Sequence, residues 1–225
     1  MPTILENYRQ KFRKSEELFK QGRSIIAGGG HLSRPVNPFP VYVDHGQGSL
    51  KWDVDGNQIV DYMMGYGALI AGHSHPKIAE AVRQRLSQGT HMGSATPLEV
   101  RWAQKVKEFI PSAERVRFTH SGGDATMMAM RLARAYTGKT KVVKFRNHFH
   151  GWHDYAAQES GLNSQTGIPK ETLSTVVVMD TNIAALEDLL SHDENIAAII
   201  LEPTGAHFGQ LPLQNPGFLQ NLREI

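Results

Sequence analysis

Apolar positions along the chain follow two patterns, short unbroken runs and runs spaced three or four apart. Ser174 to Met179 and Ile196 to Leu201 are unbroken, and between them Thr181 and Asn182 can cap a helix over 183–190. Val and Ile runs that do not alternate with polar residues, set between helices, predict a parallel sheet covered on both faces. The fold class is therefore α/β. The stretch from Arg115 to Gly151 reads as strand, glycine turn, helix ending at Gly138, strand, and a turn rich in aromatic and histidine residues. Its loops lie at carboxyl ends of strands, where open α/β sheets bind ligands.

Upstream the pattern is different. Leu5, Tyr8, Phe12, Leu18 and Phe19 stand among Arg, Lys and Glu, which predicts one amphipathic, half-solvated helix over 4–20. Gly28, Gly29 and Gly30 end it, and Pro35, Pro38 and Pro40 keep the next segment extended. Short strands are expected over 41–43 and 48–53, with Asp55-Gly56 turning the chain into 58–62. Gly65-Tyr66-Gly67 and Gly72 to His75 read as loops. Pro76 opens a helix that Gly89 ends, and Pro97 opens another, with Leu98, Trp102, Val106, Phe109 and Ile110 on one face. Pro216 opens a last helix. The apolar run 196–201 would leave an unpaired hydrophobic edge, so something is expected to continue the sheet.

Composition narrows the function classes. The chain has 225 residues, 40% hydrophobic and 20% charged, with a formal net charge of +2. That is ordinary for a globular protein and too small a positive charge to argue for nucleic acid. There is no cysteine, which excludes disulfides and thiolate metal sites. No apolar run is long enough to span a bilayer, and the first 22 residues lack a signal-peptide pattern. A cytoplasmic location is expected.

Four places carry candidate chemistry. Ser121-Gly122-Gly123-Asp124 sits where a helix begins, so N–H groups and the positive end of the helix dipole converge there on a potential anion. A plain N-cap by Ser121 or Asp124 explains the same residues. His148, His150, His153 and Asp154 invite a metal reading, although the order H-x-H-x-x-H-D places the Asp after the last His, unlike the H-x-H-x-D-H of metallohydrolases. Alternatively Phe149 or His150 offers a flat ring to a planar ligand held by the neighbouring glycine turn. Glu202, at the end of an apolar strand, can orient a ligand or another group. Arg34, on the proline-rich loop, is a possible carboxylate fork. The run Asp53 to Asn57 hints at a calcium loop, but its glycine falls too early and Met64 stands where the loop needs Glu.

Taken together, these residues resemble the class III aminotransferases, most closely their glutamate-1-semialdehyde 2,1-aminomutase group. The blocks that carry the resemblance are Trp52-Asp53-Val54-Asp55-Gly56-Asn57 with Asp61-Tyr62, Gly72-His73-Ser74-His75-Pro76, and His120 to Thr126. Arg131 to Arg134 with Thr137-Gly138, Phe149-His150-Gly151 and Leu201-Glu202-Pro203 complete the set. The resemblance implies a pyridoxal 5'-phosphate (PLP) enzyme of fold type I, with a mostly parallel sheet and flanking helices. It divides the chain into an N-terminal segment, 1–70, with a helix, substrate loop and small β-hairpin, and a partial PLP-binding large domain, 71–225.

Site residues follow from the same likeness. Ser121, Gly122, Gly123 and Asp124 match the loop that grips the cofactor phosphate, with Gly123 in place of the usual Thr or Ser and Asp124 in place of Glu. Phe149, His150 and Gly151 match Tyr-His-Gly, whose aromatic ring covers the cofactor. Glu202 matches an acid near the pyridine ring, Arg34 an arginine that binds a substrate carboxylate, and Tyr66 an aromatic lining the substrate pocket. The substrate is expected to be a small amino or oxo acid, and the completed enzyme a homodimer that binds neither nucleic acid nor membrane.

The family's aspartate facing the pyridinium nitrogen and its Schiff-base lysine are expected beyond Ile225. Neither motif occurs in the sequence, so this chain by itself is expected to hold the cofactor without catalysing amino-group transfer. Two other readings stay open at this point. One is a metallohydrolase on His148, His150, His153 and Asp154; the other is a non-catalytic remnant that only binds a partner.

Overall fold

The computed structural model describes residues 1–27, 36–159, 165–207, 209, 211–213 and 215–225. They form two compact units, Met1–Thr96 and Pro97–Ile225.

The first unit opens with α1 (Ile4–Lys11) and α2 (Arg13–Gly22) in place of the single helix expected. Thr3 and Glu6 close a reciprocal capping box at the start of α1. The break falls at Phe12, whose backbone sits at φ −120°, ψ 48°. Its cause is remote in sequence. The Asp55 carboxylate accepts hydrogen bonds from Lys14 N (2.8 Å) and Ser15 N (3.2 Å), and so caps a new helix where a continuous one would have run on.

A three-stranded antiparallel sheet follows in the order β1 (Val43–Gln47), β2 (Leu50–Asp53) and β3 (Gln58–Val60). Gln47 pairs with Leu50, so a two-residue turn at Gly48 (φ 57°) and Ser49 reverses the chain. For that reason the first strand lies later than the apolar pattern suggested. The Asp55-Gly56 turn forms as expected. Asp53 accepts from Asp55 N (3.0 Å), Asn57 N (2.7 Å) and Asn57 Nδ2 (2.9 Å), so its carboxylate serves the turn.

Asp61 organises the loop after β3. It is buried and meets Lys51 Nζ at 3.0 Å and His73 Nε2 at 2.7 Å, while its Oδ1 also accepts from Met63 N and Met64 N. The bond to His73 is the largest influence holding its carboxyl far below the usual range, against the cost of burial. Gly48 and His73 exchange backbone hydrogen bonds of 2.8 Å in both directions. Helix α3 (Pro76–Leu86) then starts with proline at its first position, as its sequence predicts.

The second unit begins with α4 (Pro97–Phe109). The strand expected before Ser121 is absent: residues 116–119 pair with no strand among the described residues. A strand exists only through a neighbour's backbone groups, and here Phe118 instead stacks on Trp102 of α4, ring centroids 3.8 Å apart. After this come α5 (Gly122–Thr137), β4 (Lys141–Phe145), α6 (Lys170–Leu173), β5 (Val176–Met179), α7 (Ile183–His192), β6 (Ile196–Ile200) and α8 (Phe218–Glu224). Gly138 ends α5 in the left-handed region, and Asn182 caps α7 through Ala185 N, both as the sequence predicts.

The sheet of this unit is parallel in the order β5-β4-β6. Strand β4 lies between the other two and has Val142, Val143, Lys144 and Phe145 fully buried. Phe145, Leu186, Ile196 and Phe218 pack with Val143 into the core. Strand β6 lies at an edge among the described residues, and beyond Ile196 it is only half-buried.

Replacing His73 with Ala removes a direct partner of the buried Asp61 carboxylate. Unfolding in urea should show a loss of about 1–3 kcal/mol. The midpoint of acid unfolding should also move to higher pH, because the Asp61 contribution is present above its unfolded pKa and is lost as its folded-state pKa is approached from above.

Candidate active site

At the start of α5 the N-cap reading and the anion reading both have a share of the geometry. Ser121, with extended backbone at φ −151°, ψ 165°, accepts from Asp124 N (3.1 Å) and donates its own hydroxyl to Asp124 Oδ2 (3.0 Å). Ser121 and Asp124 are therefore engaged with each other. The N–H groups of Gly122 and Gly123 make no hydrogen bond among the described residues. Two free donors at the positive end of a 16-residue helix form a receptor for an anion.

The aromatic turn lies directly against this point. Gly151 has φ 109°, and a Cβ placed on it would fall 2.8 Å from Gly123 Cα. Only glycine at 151 permits the two turns to touch in this way. Thr126, one turn into α5, ties them: its hydroxyl lies within hydrogen-bond distance of Gly123 O (3.0 Å), His150 O and His153 Nε2 (3.2 Å). Sequence reasoning assigned Thr126 no role, although it stands in the same block as the glycine turn.

Glu202 approaches the turn from the end of β6. Its Oε1 accepts from Phe149 N at 2.6 Å, and its own N–H donates to His148 Nδ1 at 2.8 Å. This acid therefore holds the backbone that carries the Phe149 ring. The ring itself is half-buried and meets Trp152 edge to face, centroids 5.7 Å apart.

Burial governs the electrostatics of the turn. His150 is 6% exposed, its Nε2 has no partner among the described residues, and its pKa is pushed down to about 4 by burial first and then by Lys144, His148 and His153. Burial also lowers His148 and His153. Lys144 lies beneath them, fully buried and lowered to about 8, with Glu202 opposing the shift.

The metal reading fails on this geometry. Among the described residues no three His, Asp or Glu side chains converge as metal ligands. His148 Nδ1 is used by Glu202 N, His153 Nε2 faces Thr126, and the His148 and His150 rings stand 6.2 Å apart. The spacing that suggested ligands instead places one ring under the turn, one within it and one against α5.

Two expected site residues lie elsewhere. Tyr66 belongs to the first unit, on the loop that Asp61 organises, at φ 57° and 52% exposed. Arg34 lies outside the described residues.

A glycine turn opening a helix, set against an aromatic turn at the strand ends of a parallel sheet, is the arrangement of a nucleotide- or cofactor-dependent α/β enzyme. Comparison with known proteins makes this specific. The sequence matches the class-III aminotransferase family over residues 31–225, and the chain belongs to that family. It is 40% identical over 220 residues to a glutamate-1-semialdehyde 2,1-aminomutase of Saccharolobus islandicus, an alignment covering 94% of this chain and 51% of that protein. Among solved structures, an omega-transaminase from Sphaerobacter thermophilus superposes with a TM-score of 0.88 at 34% identity, over 96% of this chain and 53% of the other. A transaminase with PLP bound gives 0.87 at 33% identity, over 95% and 52%. The fold is that of fold type I transaminases, and the chain spans about half the length of the curated relatives it matches.

Two outcomes follow from this geometry. Gly151→Ala should cost about 1–3 kcal/mol in urea unfolding, since its Cβ meets backbone and its φ is unfavourable for any side chain. Acid should also weaken the fold. A buried neutral histidine contributes stability that is complete above its unfolded pKa near 6.5 and is lost as pH falls toward about 4. In His150→Asn, the fall in stability between those pH values should be smaller by on the order of 3 kcal/mol.

Proposed function

We propose that this chain serves PLP-dependent amino-group transfer, of the class III transaminase or aminomutase kind, on a small amino or oxo acid. The observation that carries the proposal is the junction of α5 with the aromatic turn. Two N–H groups there make no hydrogen bond among the described residues, and the turn that touches this helix start carries a flat ring on backbone held by Glu202. A phosphorylated aromatic cofactor matches both features. Gly122 and Gly123 would take the phosphate, and Phe149 would cover one face of the ring. The PLP seen in a transaminase that superposes on 95% of this chain supports the same assignment.

Bound there, PLP would supply the electron sink that labilises bonds at an amino-bearing carbon. The residues of this chain bind and orient it. Ser121 and Asp124 keep the helix start rigid, Thr126 and the two glycines fix the distance between turns, and Glu202 sets the height of the Phe149 ring. His150, neutral at physiological pH, keeps the buried base of the turn from carrying a second charge beside Lys144. The lysine that would attach the cofactor is not among these residues, since the buried Lys144 ammonium is engaged by two backbone carbonyls. Substrate recognition by Arg34 and Tyr66, a homodimer and a cytoplasmic location go with this proposal. Exposed apolar residues on α4 and α5, among them Trp102, Phe109, Leu132 and Tyr136, support a further protein surface over this unit.

A substitution at Gly122 tests the assignment. Gly122 is the first residue of α5, where proline is tolerated, and a Cβ there meets nothing within 4 Å. Gly122→Pro removes one N–H donor and should leave the helix intact. A charge-assisted bond of ~1.5–3 kcal/mol is lost, so PLP affinity measured by absorbance titration should fall by at least about tenfold. Unchanged affinity would contradict the proposal, and a stoichiometric borohydride-fixed pyridoxyl adduct on any lysine would contradict the exclusion of this chain's lysines from cofactor attachment.

A further inference from the structure

Lys144 is the one fully buried cation of the second unit among the described residues, and nothing in amino-group transfer as proposed above uses it. It rises from the middle strand of the parallel sheet. Its register neighbours are Val178 on β5 and Ile200 on β6, so no carboxylate lies beside it across the sheet. Its Nζ donates to Ala156 O at 2.7 Å and to Gln158 O. Both of those residues are buried, as is Ala157 between them.

The segment it gathers leads back to the cofactor turn. Ala156 N and Ala157 N donate to His153 O at 2.8 and 3.1 Å, which folds 153–157 into a tight turn. His153 in turn meets Thr126, and Thr126 binds His150 O beside Gly151. Two further cations hold the outside of the same loop: Arg134 lies over the Tyr155 ring at 4.2 Å, and Arg146 pairs with Glu159 and Asp180. Of these outer contacts the Arg146 ion pairs are largely exposed and worth little, and the Arg134–Tyr155 pair is half-buried. The inner one is a charged donor between carbonyls that have no access to water, and such bonds are the costly ones to lose.

We infer that Lys144 is a positioning residue for the aromatic turn, its ammonium fixing the 156–158 backbone so that Phe149 and Gly151 stay seated against the start of α5. The inference rests on the cofactor reading of that turn only for its consequence, not for its geometry. Burial lowers Lys144 to about 8, with Glu202 opposing the shift and His148, His150 and His153 standing nearby, so the group is mainly the ammonium at neutral pH. Replacing it with a side chain of similar size and no donor leaves two buried carbonyls unsatisfied.

The test uses the intact chain labelled with 5-fluorotryptophan. Trp152 sits on the turn, and a Trp152→Phe variant identifies its ¹⁹F resonance among those of the three tryptophans. Lys144→Met should fold, as judged by circular dichroism, while the Trp152 line shifts and broadens, the Trp52 and Trp102 lines stay in place, and PLP affinity falls at least about tenfold. The chain has no cysteine, so Lys144→Cys can be alkylated with bromoethylamine in denaturant and refolded. The resulting thialysine should restore both the line and the affinity. An unmoved Trp152 line in Lys144→Met, or loss that thialysine does not restore, overturns the inference. A Trp152 response with no PLP binding even in the unsubstituted chain would overturn the cofactor reading and leave the positioning role supported. If Lys144→Met does not fold, ¹⁵N-lysine labelling of the unsubstituted chain decides. One slowly exchanging ammonium close to the 156–158 backbone is expected, and its absence overturns the role.

Discussion

The second unit depends on one close approach, that of Gly151 to Gly123. A single methyl group added at Gly151 would bring carbon atoms to 2.8 Å, so the aromatic turn can rest on the start of α5 only because position 151 carries no side chain. The contact has little attraction of its own. It is held by what surrounds it: the Thr126 hydroxyl between the two turns, Glu202 beneath Phe149, and Lys144 under the returning loop. Each is a polar group paired with backbone, and Lys144, fully buried, is held in the only arrangement in which such a group can be buried cheaply. The result is a rigid corner with open N–H groups on one side and an aromatic ring on the other.

Much of this fold was legible because its signals are local. Strands β5 and β6 announce themselves as apolar runs, and α5 and α7 carry their own caps in Ser121, Gly138 and Asn182. The turn at Asp55-Gly56 and the proline-led starts of α3 and α4 belong to the same class. Misreadings arose where a remote group decides. Phe12 breaks the leading helix because Asp55, more than 40 residues later, offers a cap. Residues 116–119 have the composition of a strand but no neighbour to pair with among the described residues, and composition alone cannot show that.

The candidate site was legible in part for the same reason. Ser121 to Asp124 and Phe149 to Gly151 are short contiguous signals; the first opens a helix and the second follows a strand as expected, although the strand expected before Ser121 is absent among the described residues. Their division of labour was not visible, because Ser121 and Asp124 spend their polar groups on each other and leave the glycines as donors. The histidines misled toward a metal because spacing says nothing about direction. Lys144 was assigned no role because it sits in no matching motif, and only the fold shows that two carbonyls close on it. The sequence relationship to class III aminotransferases supplies what the geometry alone cannot, the family to which the chain belongs.

The central claim is that this corner is built for a phosphate joined to a flat ring. It is tested most directly by comparing PLP with pyridoxal, which has the ring without the phosphate, in equilibrium binding to the intact chain with inorganic phosphate as competitor. Two charge-assisted hydrogen bonds and the helix start should together be worth at least ~3 kcal/mol, so PLP should bind about a hundredfold more tightly or better, and phosphate should displace it. Equal affinity for the two compounds, with no competition by phosphate, would contradict the account.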